Sequence, residues 1–396
     1  MISVKEAIEK VIEHTAIGKV VSTETQKTEG QYTTNDIYSP IDLPSFRNSA
    51  MDGYALLYSD YENDVRQFEL AGEIPAGCTK KHKVKSGEAY RIYTGAPTPL
   101  NSDLVIMQEH VSTKNNSVII EEQNSRKNQN IREIGEQVQK GTLALKKGTA
   151  INSATIGYLS SLGIGSINTI NKPKIAVVST GDELIEAGNS LEFGQIYESN
   201  SSALISELKK TGIESISLYK LKDDYPSTKE SLSQLVKEYD YLIITGGISV
   251  GDYDFVGKAL MEIDTKEIFY KVKQKPGKPL FFGKNQNCHV FALPGNPAAA
   301  LSCLHIYVKT SLRKYLGCEN PRPQFANLKS TSAFIKKGDR AQFLKARTTE
   351  NGVEIMDGQS SNMMQTFALS NALVYVPAET SEIKIGDPVQ TLLICI

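Results

Sequence analysis

A chain of 396 residues is longer than one hydrophobic core usually serves, so two to four domains are expected. Its 44 Lys and Arg against 45 Asp and Glu leave a net charge of -1, which excludes the basic field needed to hold nucleic acid or an acidic membrane surface. With 40% apolar and 22% charged residues, the composition suits a packed chain and excludes a disordered one.

Near the start, Val4, Ile8, Val11 and Ile12 recur at helical spacing among charges. This predicts a structural helix and not a signal peptide, whose apolar core would be unbroken. Five scattered cysteines, Cys78, Cys288, Cys303, Cys318 and Cys395, form no C-x-x-C, so neither a disulfide framework nor a zinc ribbon is expected and a reducing cytoplasm fits. His14, His82, His110, His289 and His305 show no ligand spacing. No apolar run approaches the roughly 18 to 20 residues of a membrane span.

Residues 20–150 read as short β segments between turns, for example Asn115-Asn116 between 109–111 and 118–120. A helix over 152–162 is expected, with Asn152 or Ser153 as cap and Gly163 just past its end. From Lys174 the texture becomes alternating strand and helix. An apolar run at 175–178 precedes Ala203, Leu204 and Leu208 at helical spacing, then 216–218 in the two-residue period. Ser227 and Glu230 form a capping-box candidate for a helix carrying Leu232, Leu235, Val236 and Tyr239, followed by the run 241–244. Val256, Leu260 and Met261 mark another apolar stretch, then strands at 281–282 and 290–293 and a helix from Pro297. Residues 174–315 thus predict an open, mostly parallel α/β sheet. After Pro321 and Pro323, segments 341–346 and 353–356 flank Asn351-Gly352, a type I′ hairpin signal, and 373–376, 383–385 and 389–394 continue a small C-terminal β domain. The fold class is therefore multidomain α/β and β, divided as 1–170, 171–318 and 319–396, with a β-rich N-terminal region.

Open α/β sheets bind ligands beyond the carboxyl ends of their strands. There the chain places Ser179-Thr180-Gly181-Asp182-Glu183-Leu184, then Thr245-Gly246-Gly247-Ile248-Ser249-Val250-Gly251-Asp252-Tyr253-Asp254, then Pro294-Gly295-Asn296-Pro297. Each alone reads as a turn or a helix start. Together, glycines that let amides approach an anion and acids that can hold a divalent cation predict a phosphate and metal pocket. Asn296 is expected to cap a helix and Pro297 to occupy its first turn. Lys275-Pro276-Gly277-Lys278-Pro279 sets two ammonium groups on a stiffened turn, suited to an oxyanion. The polar stretches Arg47-Asn48-Ser49-Ala50-Met51-Asp52-Gly53-Tyr54-Ala55, Arg91-Ile92-Tyr93-Thr94-Gly95-Ala96-Pro97 and Asn130-Ile131-Arg132-Glu133-Ile134-Gly135-Glu136 stand out in the N-terminal region.

Segments 49–55, 94–97, 179–184, 246–251, 275–279 and 293–297, in that order, resemble the molybdopterin molybdenumtransferases, the MoeA proteins and the equivalent domain of gephyrin, over essentially the whole chain. The resemblance implies an α/β domain like that of the MogA-type adenylyltransferases and an elongated homodimer of four-domain subunits with an active site between chains. It also implies Mg²⁺-assisted insertion of molybdate into adenylylated molybdopterin, with release of AMP. Asp52, Thr94, Glu183, Asp223 and Asp254 inherit catalytic roles, and Glu183, Asp223 and Asp254 are the implied Mg²⁺ holders. Substrate-binding roles fall on Arg132, Thr180, Gly181, Asp182, Gly246, Gly247, Ser249, Lys275, Lys278, Pro294, Gly295, Asn296, Pro297, Arg340 and Ser361. Implied partners are the upstream molybdopterin adenylyltransferase and molybdoenzyme apoproteins, with no nucleic acid and no membrane. The chain departs from the family pattern at Gln137, at Ser360-Ser361-Asn362 and at Lys345, where a second arginine is usual. Two other readings are an adenylyltransferase, which resembles the α/β domain alone, and a silent gephyrin-like scaffold, which the retained acids oppose.

Overall fold

The computed structural model describes residues 1–222, 224–247 and 255–394. The chain divides into two units: Met1–Thr34, Gly148–Ser153 and Ser166–Ile396 form one, and Asn35–Lys147 with Ala154–Gly165 the other.

At the centre of the first unit is a six-stranded sheet in the order Ile216–Leu221, Ile175–Thr180, Tyr241–Thr245, Cys288–Leu293, Phe281–Asn285, Lys266–Tyr270. The first four strands run parallel, as expected, and Phe281–Asn285 runs antiparallel to both its neighbours. Ile175 and Val177 enter one core with Leu204, Leu208 and Ile243, while Ala176 and Val178 enter another with Leu232, Val236 and Ile244. Burial on both faces explains why these strands read as unbroken apolar runs. The first core also takes Val4, Ala7, Ile8 and Val11 from the amphipathic helix Val4–His14, which Ser3 caps by accepting from the Glu6 N–H at 3.1 Å.

Helices Asn200–Lys209, Tyr225–Glu238 and Phe255–Glu262 flank the sheet, with a longer helical run made of Pro297–Cys303, the π turn Leu304–Val308 and Lys309–Tyr315. Two local expectations shift. Asp224, not Ser227, caps Tyr225–Glu238: its carboxylate accepts from the Ser227 N–H at 3.0 Å, with Pro226 in the first turn. The aspartate and proline together make the stronger start signal, which places Ser227 inside the helix. Met261 is 62% exposed because it lies five residues past Val256, off the stripe that buries Val256 and Leu260.

The C-terminal β domain is a sheet in the order Gln274–Lys275, Ala341–Thr349, Ala372–Val376, Pro388–Leu393, Phe325–Lys329, with Gly352–Ile355 paired to Ala341–Thr349. Thr349 pairs with Gly352, so the hairpin turns at Glu350 and Asn351, one residue earlier than the Asn-Gly signal predicts. Gly352 is needed instead for a close approach, since a Cβ there would fall 2.0 Å from the Lys329 carbonyl oxygen. Ile385 lies beyond the strand Glu382–Ile383 and is exposed. A short helix, Met364–Leu369, had no counterpart in the sequence reading.

The second unit is β-rich, as expected, around a sheet in the order Leu104–Met107, Gly53–Leu56, Glu88–Ile92, Gln67–Ile74, Ser117–Ile120, Val111–Lys114. Asn115 and Asn116, with φ of 47° and 62°, turn the hairpin between its last two strands. Glu109 lies in the turn Gln108–His110 that precedes this hairpin and not in the strand itself.

Candidate active site

Parallel strands bring their carboxyl ends to one edge, and here those ends are Thr180, Leu221, Thr245 and Leu293. The three predicted glycine loops therefore meet at one rim. A Cβ on Gly246 would lie 2.8 Å from the Thr180 carbonyl oxygen, one on Gly247 3.0 Å from Thr180 Oγ1, and one on Gly295 3.9 Å from Gly246 Cα. Gly246 and Gly247 hold φ of 91° and 64°, a region that disfavours any side chain. Thr180 is 7% exposed, and its Oγ1 has no hydrogen-bond partner among the described residues. An unpaired buried hydroxyl costs about 1–3 kcal/mol, which a ligand acceptor would recover.

Asn200 fastens this rim. Its Nδ2 donates to Thr245 Oγ1 and to the Gly295 carbonyl, both at 2.7 Å, tying two strand ends together. Sequence reasoning passed over it, because an asparagine at a helix start reads as local capping. Asp182 and Glu183 are exposed beside Gly181, and the Glu183 carboxylate folds back so that a Cβ on Gly181 would meet its Oε2 at 2.6 Å. Asp223, Ser249 and Asp254 lie outside the described residues. Among the described residues no group of three His, Cys, Asp or Glu gathers closely enough to hold a metal ion.

Two further segments reach the site from the C-terminal sheet. Gln274–Lys275 pairs in parallel with Ala341 and Gln342, and Arg340 Nη1 donates to the Gln274 carbonyl at 3.2 Å. Lys275 and Lys278 on this turn are exposed. Asn296 Nδ2 donates to Ser361 Oγ at 3.1 Å, which carries Ser361 to the rim. Asn296 stands at the N-cap position but makes no side-chain cap bond, contrary to expectation, while Pro297 does occupy the first turn. Lys345 is 3% exposed and donates through Nζ to the carbonyls of Ser360 and Met363 at 2.9 and 3.1 Å, so it holds the Ser361 loop from inside. Burial pushes its ammonium pKa below the ordinary lysine value.

In the second unit, Asp52 and Thr94 come together. The Thr94 amide and hydroxyl donate to Asp52 Oδ1 at 2.7 and 2.8 Å. These bonds, the amide first, hold the carboxyl below the usual carboxylate range, and Arg91 adds to the effect. Arg91, which sequence reasoning did not assign, donates to the Gly53 carbonyl at 3.2 Å and lies over the Tyr54 and Tyr93 rings. Exposed Arg132 sits on Ile131–Arg132, paired with Asn48–Ser49, and Gly95 N–H donates to the Ser49 carbonyl at 2.8 Å. Three stretches far apart in sequence thus form one polar cluster.

Residues 2–163 match the family model of the MoeA N-terminal region (domain I and II), 176–314 that of a probable molybdopterin binding domain, and 327–394 that of the MoeA C-terminal region (domain IV). The chain is 35% identical over 370 residues to the molybdopterin molybdenumtransferase of Haemophilus influenzae, spanning 92% of this chain and 91% of that one. To that of Staphylococcus epidermidis it is 30% identical over 402 residues, spanning 99% and 95%. A crystal structure of the MoeA protein of Pyrococcus horikoshii superimposes with a TM-score of 0.82 at 26% identity, covering 99% of this chain and all of that one. Similarity of this extent, across all three regions, shows that the chain belongs to the MoeA family of molybdopterin molybdenumtransferases.

Proposed function

We propose that this protein inserts molybdate into adenylylated molybdopterin in a Mg²⁺-dependent reaction that releases AMP and molybdenum cofactor. The observation that carries this reading is the rim itself: Gly181, Gly246, Gly247 and Gly295 draw three backbone segments around the buried Thr180 hydroxyl, which has no partner among the described residues, at the carboxyl ends of parallel strands. Such a nest suits the phosphate oxygens of a nucleotide-linked pterin, with main-chain amides and Thr180 as donors. Asn200 holds the nest to shape, and Pro294, Asn296 and Pro297 are proposed as its wall.

Molybdate is a dianion, and the exposed Lys275 and Lys278 and the half-buried Arg340, with the Ser361 hydroxyl, are its proposed partners. Asp182, Ser249 and Arg132 are proposed as further substrate contacts, and Asp52 and Thr94 as catalytic residues, Asp52 staying ionised through its bonds from Thr94. Glu183, with Asp223 and Asp254, is the proposed holder of Mg²⁺, and a donor set of carboxylates suits a hard cation. When bound, the ion supplies charge neutralisation at the adenylyl phosphate. The working form in this proposal is a cytoplasmic homodimer with an active site shared between subunits. No helix among the described residues is long and apolar enough to cross a membrane.

The test is reconstitution. Purified protein given adenylylated molybdopterin, molybdate and Mg²⁺ is expected to release AMP and activate a molybdoenzyme apoprotein. Asp254→Ala is expected to abolish both while light scattering still reports a dimer; full activity in that variant removes the metal-holding role. Tungstate run in parallel reports which oxyanion is preferred.

A further inference from the structure

The turn 275–279 carries two proposed oxyanion ligands on its exposed side, and its buried side is organised by one residue. Gln274 is fully buried. Its Nε2 donates to the carbonyls of Pro276 and Gly277 at 3.0 and 3.3 Å, and its Oε1 accepts from the Tyr307 hydroxyl. Both amide hydrogens and the amide oxygen are therefore engaged. Gly277, at φ 83°, packs so tightly on this amide that a Cβ would meet Gln274 Nε2 at 2.9 Å and Cys303 Sγ at 2.6 Å. Tyr307 and Cys303 belong to the same helical run that begins at Asn296 on the rim. The main-chain carbonyl of Gln274 takes Arg340 Nη1 at 3.2 Å.

One residue thus joins the lysine turn, the third cation and the helix that starts at the rim. We infer that Gln274, with Tyr307 behind it, is a positioning residue that sets Lys275, Lys278 and Arg340 for the oxyanion; this rests on the oxyanion role proposed above. The amide chemistry is specific. A methionine or leucine would leave two carbonyls and a phenol unpaired in a dry interior, and a glutamate would press a carboxylate against carbonyl oxygens. A glutamine ahead of Lys-Pro-Gly-Lys-Pro reads in sequence as one more solvated side chain of an exposed turn.

The experiment measures steady-state AMP release with molybdate and adenylylated molybdopterin varied separately, in wild type, Gln274→Met, Tyr307→Phe and Lys278→Ala. Gln274→Met, which removes the side-chain bonds to Pro276, Gly277 and Tyr307, is expected to raise the molybdate KM about tenfold, with kcat at saturating molybdate and the KM for the pterin within about twofold. Tyr307→Phe is expected to move the same parameter in the same direction by less. If both variants leave the molybdate KM unchanged, or lower kcat and raise both KM values in proportion to lost thermal stability, Gln274 is merely structural and the inference is overturned. Should Gln274→Met not fold, Tyr307→Phe decides by the same criteria. Lys278→Ala separates the two levels: a molybdate KM raised there but not in the other two defeats only this inference, whereas no rise in Lys278→Ala defeats the oxyanion role itself.

Discussion

Asn296 turns its side chain away from the helix it begins and donates to Ser361 Oγ at 3.1 Å. A cap bond is typically worth about 1 kcal/mol, so giving it up for a contact 65 positions away marks the pair as a junction between the rim and the C-terminal loop. Asn296→Ala and Ser361→Ala are each expected to lower kcat/KM, and the double variant to lose little beyond the larger single loss. Fully additive losses would show that the two side chains act independently.

Crowding at the rim predicts a sharp contrast between two glycines with similar backbone. Gly246 and Gly188 both have positive φ, 91° and 100°, but a Cβ on Gly246 would strike the Thr180 carbonyl oxygen at 2.8 Å whereas one on Gly188 meets nothing within 4 Å. Gly188→Ala should cost about 1 kcal/mol of conformational strain and keep its turnover. Gly246→Ala should bind adenylylated molybdopterin at least about tenfold more weakly, as read by equilibrium titration.

A buried charge cluster supports the helices behind the site. Glu207, 8% exposed, contacts Lys309 Nζ at 2.6 Å and Lys210 Nζ at 3.0 Å, joining helix Asn200–Lys209 to Lys309–Tyr315. Replacing one member of a buried pair leaves its partner uncompensated, so Glu207→Ala is expected to lose about 3 kcal/mol in a denaturant titration. Glu9→Ala breaks the exposed pair with Arg322 and should cost less than about 1 kcal/mol.

His305 makes stability depend on pH. Burial, aided by Lys309, pushes its imidazole from the ordinary 6.5 down to about 3, against the opposing pull of the Glu207 carboxylate 3.9 Å away. Lys210 and Arg313 add to the depression. The unfolded chain takes up this proton below about 6.5 and the folded chain does not until about 3, so the stabilisation is complete above the first value and is lost as pH falls toward the second. At about pH 5 the loss is about 2 kcal/mol. His305→Gln should flatten the acid limb of a plot of unfolding midpoint against pH. An unchanged slope would assign that limb to other groups, such as His289, which burial lowers to about 4.

What could be read from sequence was local. The run at 175–178, the glycine loops and Pro297 carry their signals within a few residues, and the structure puts those loops at one rim. What escaped depends on partners distant along the chain. Asn200 reaches Gly295, Gln274 reaches Tyr307, and Lys345 turns inward to the Ser360 carbonyl, and no spacing rule encodes such meetings. Asn296 shows the same limit from the other side: its identity and position fit a cap, but Ser361 offers a competing acceptor that only the folded chain supplies.

Single-turnover AMP release is the most direct test of a rim that joins nucleotide cleavage to molybdate insertion. With enzyme in excess over adenylylated molybdopterin and Mg²⁺ present, one AMP should appear for each molybdenum atom retained on the pterin, and release should stop when molybdate is withheld. AMP freed at the same rate without molybdate, or molybdenum retained with no AMP released, would contradict it.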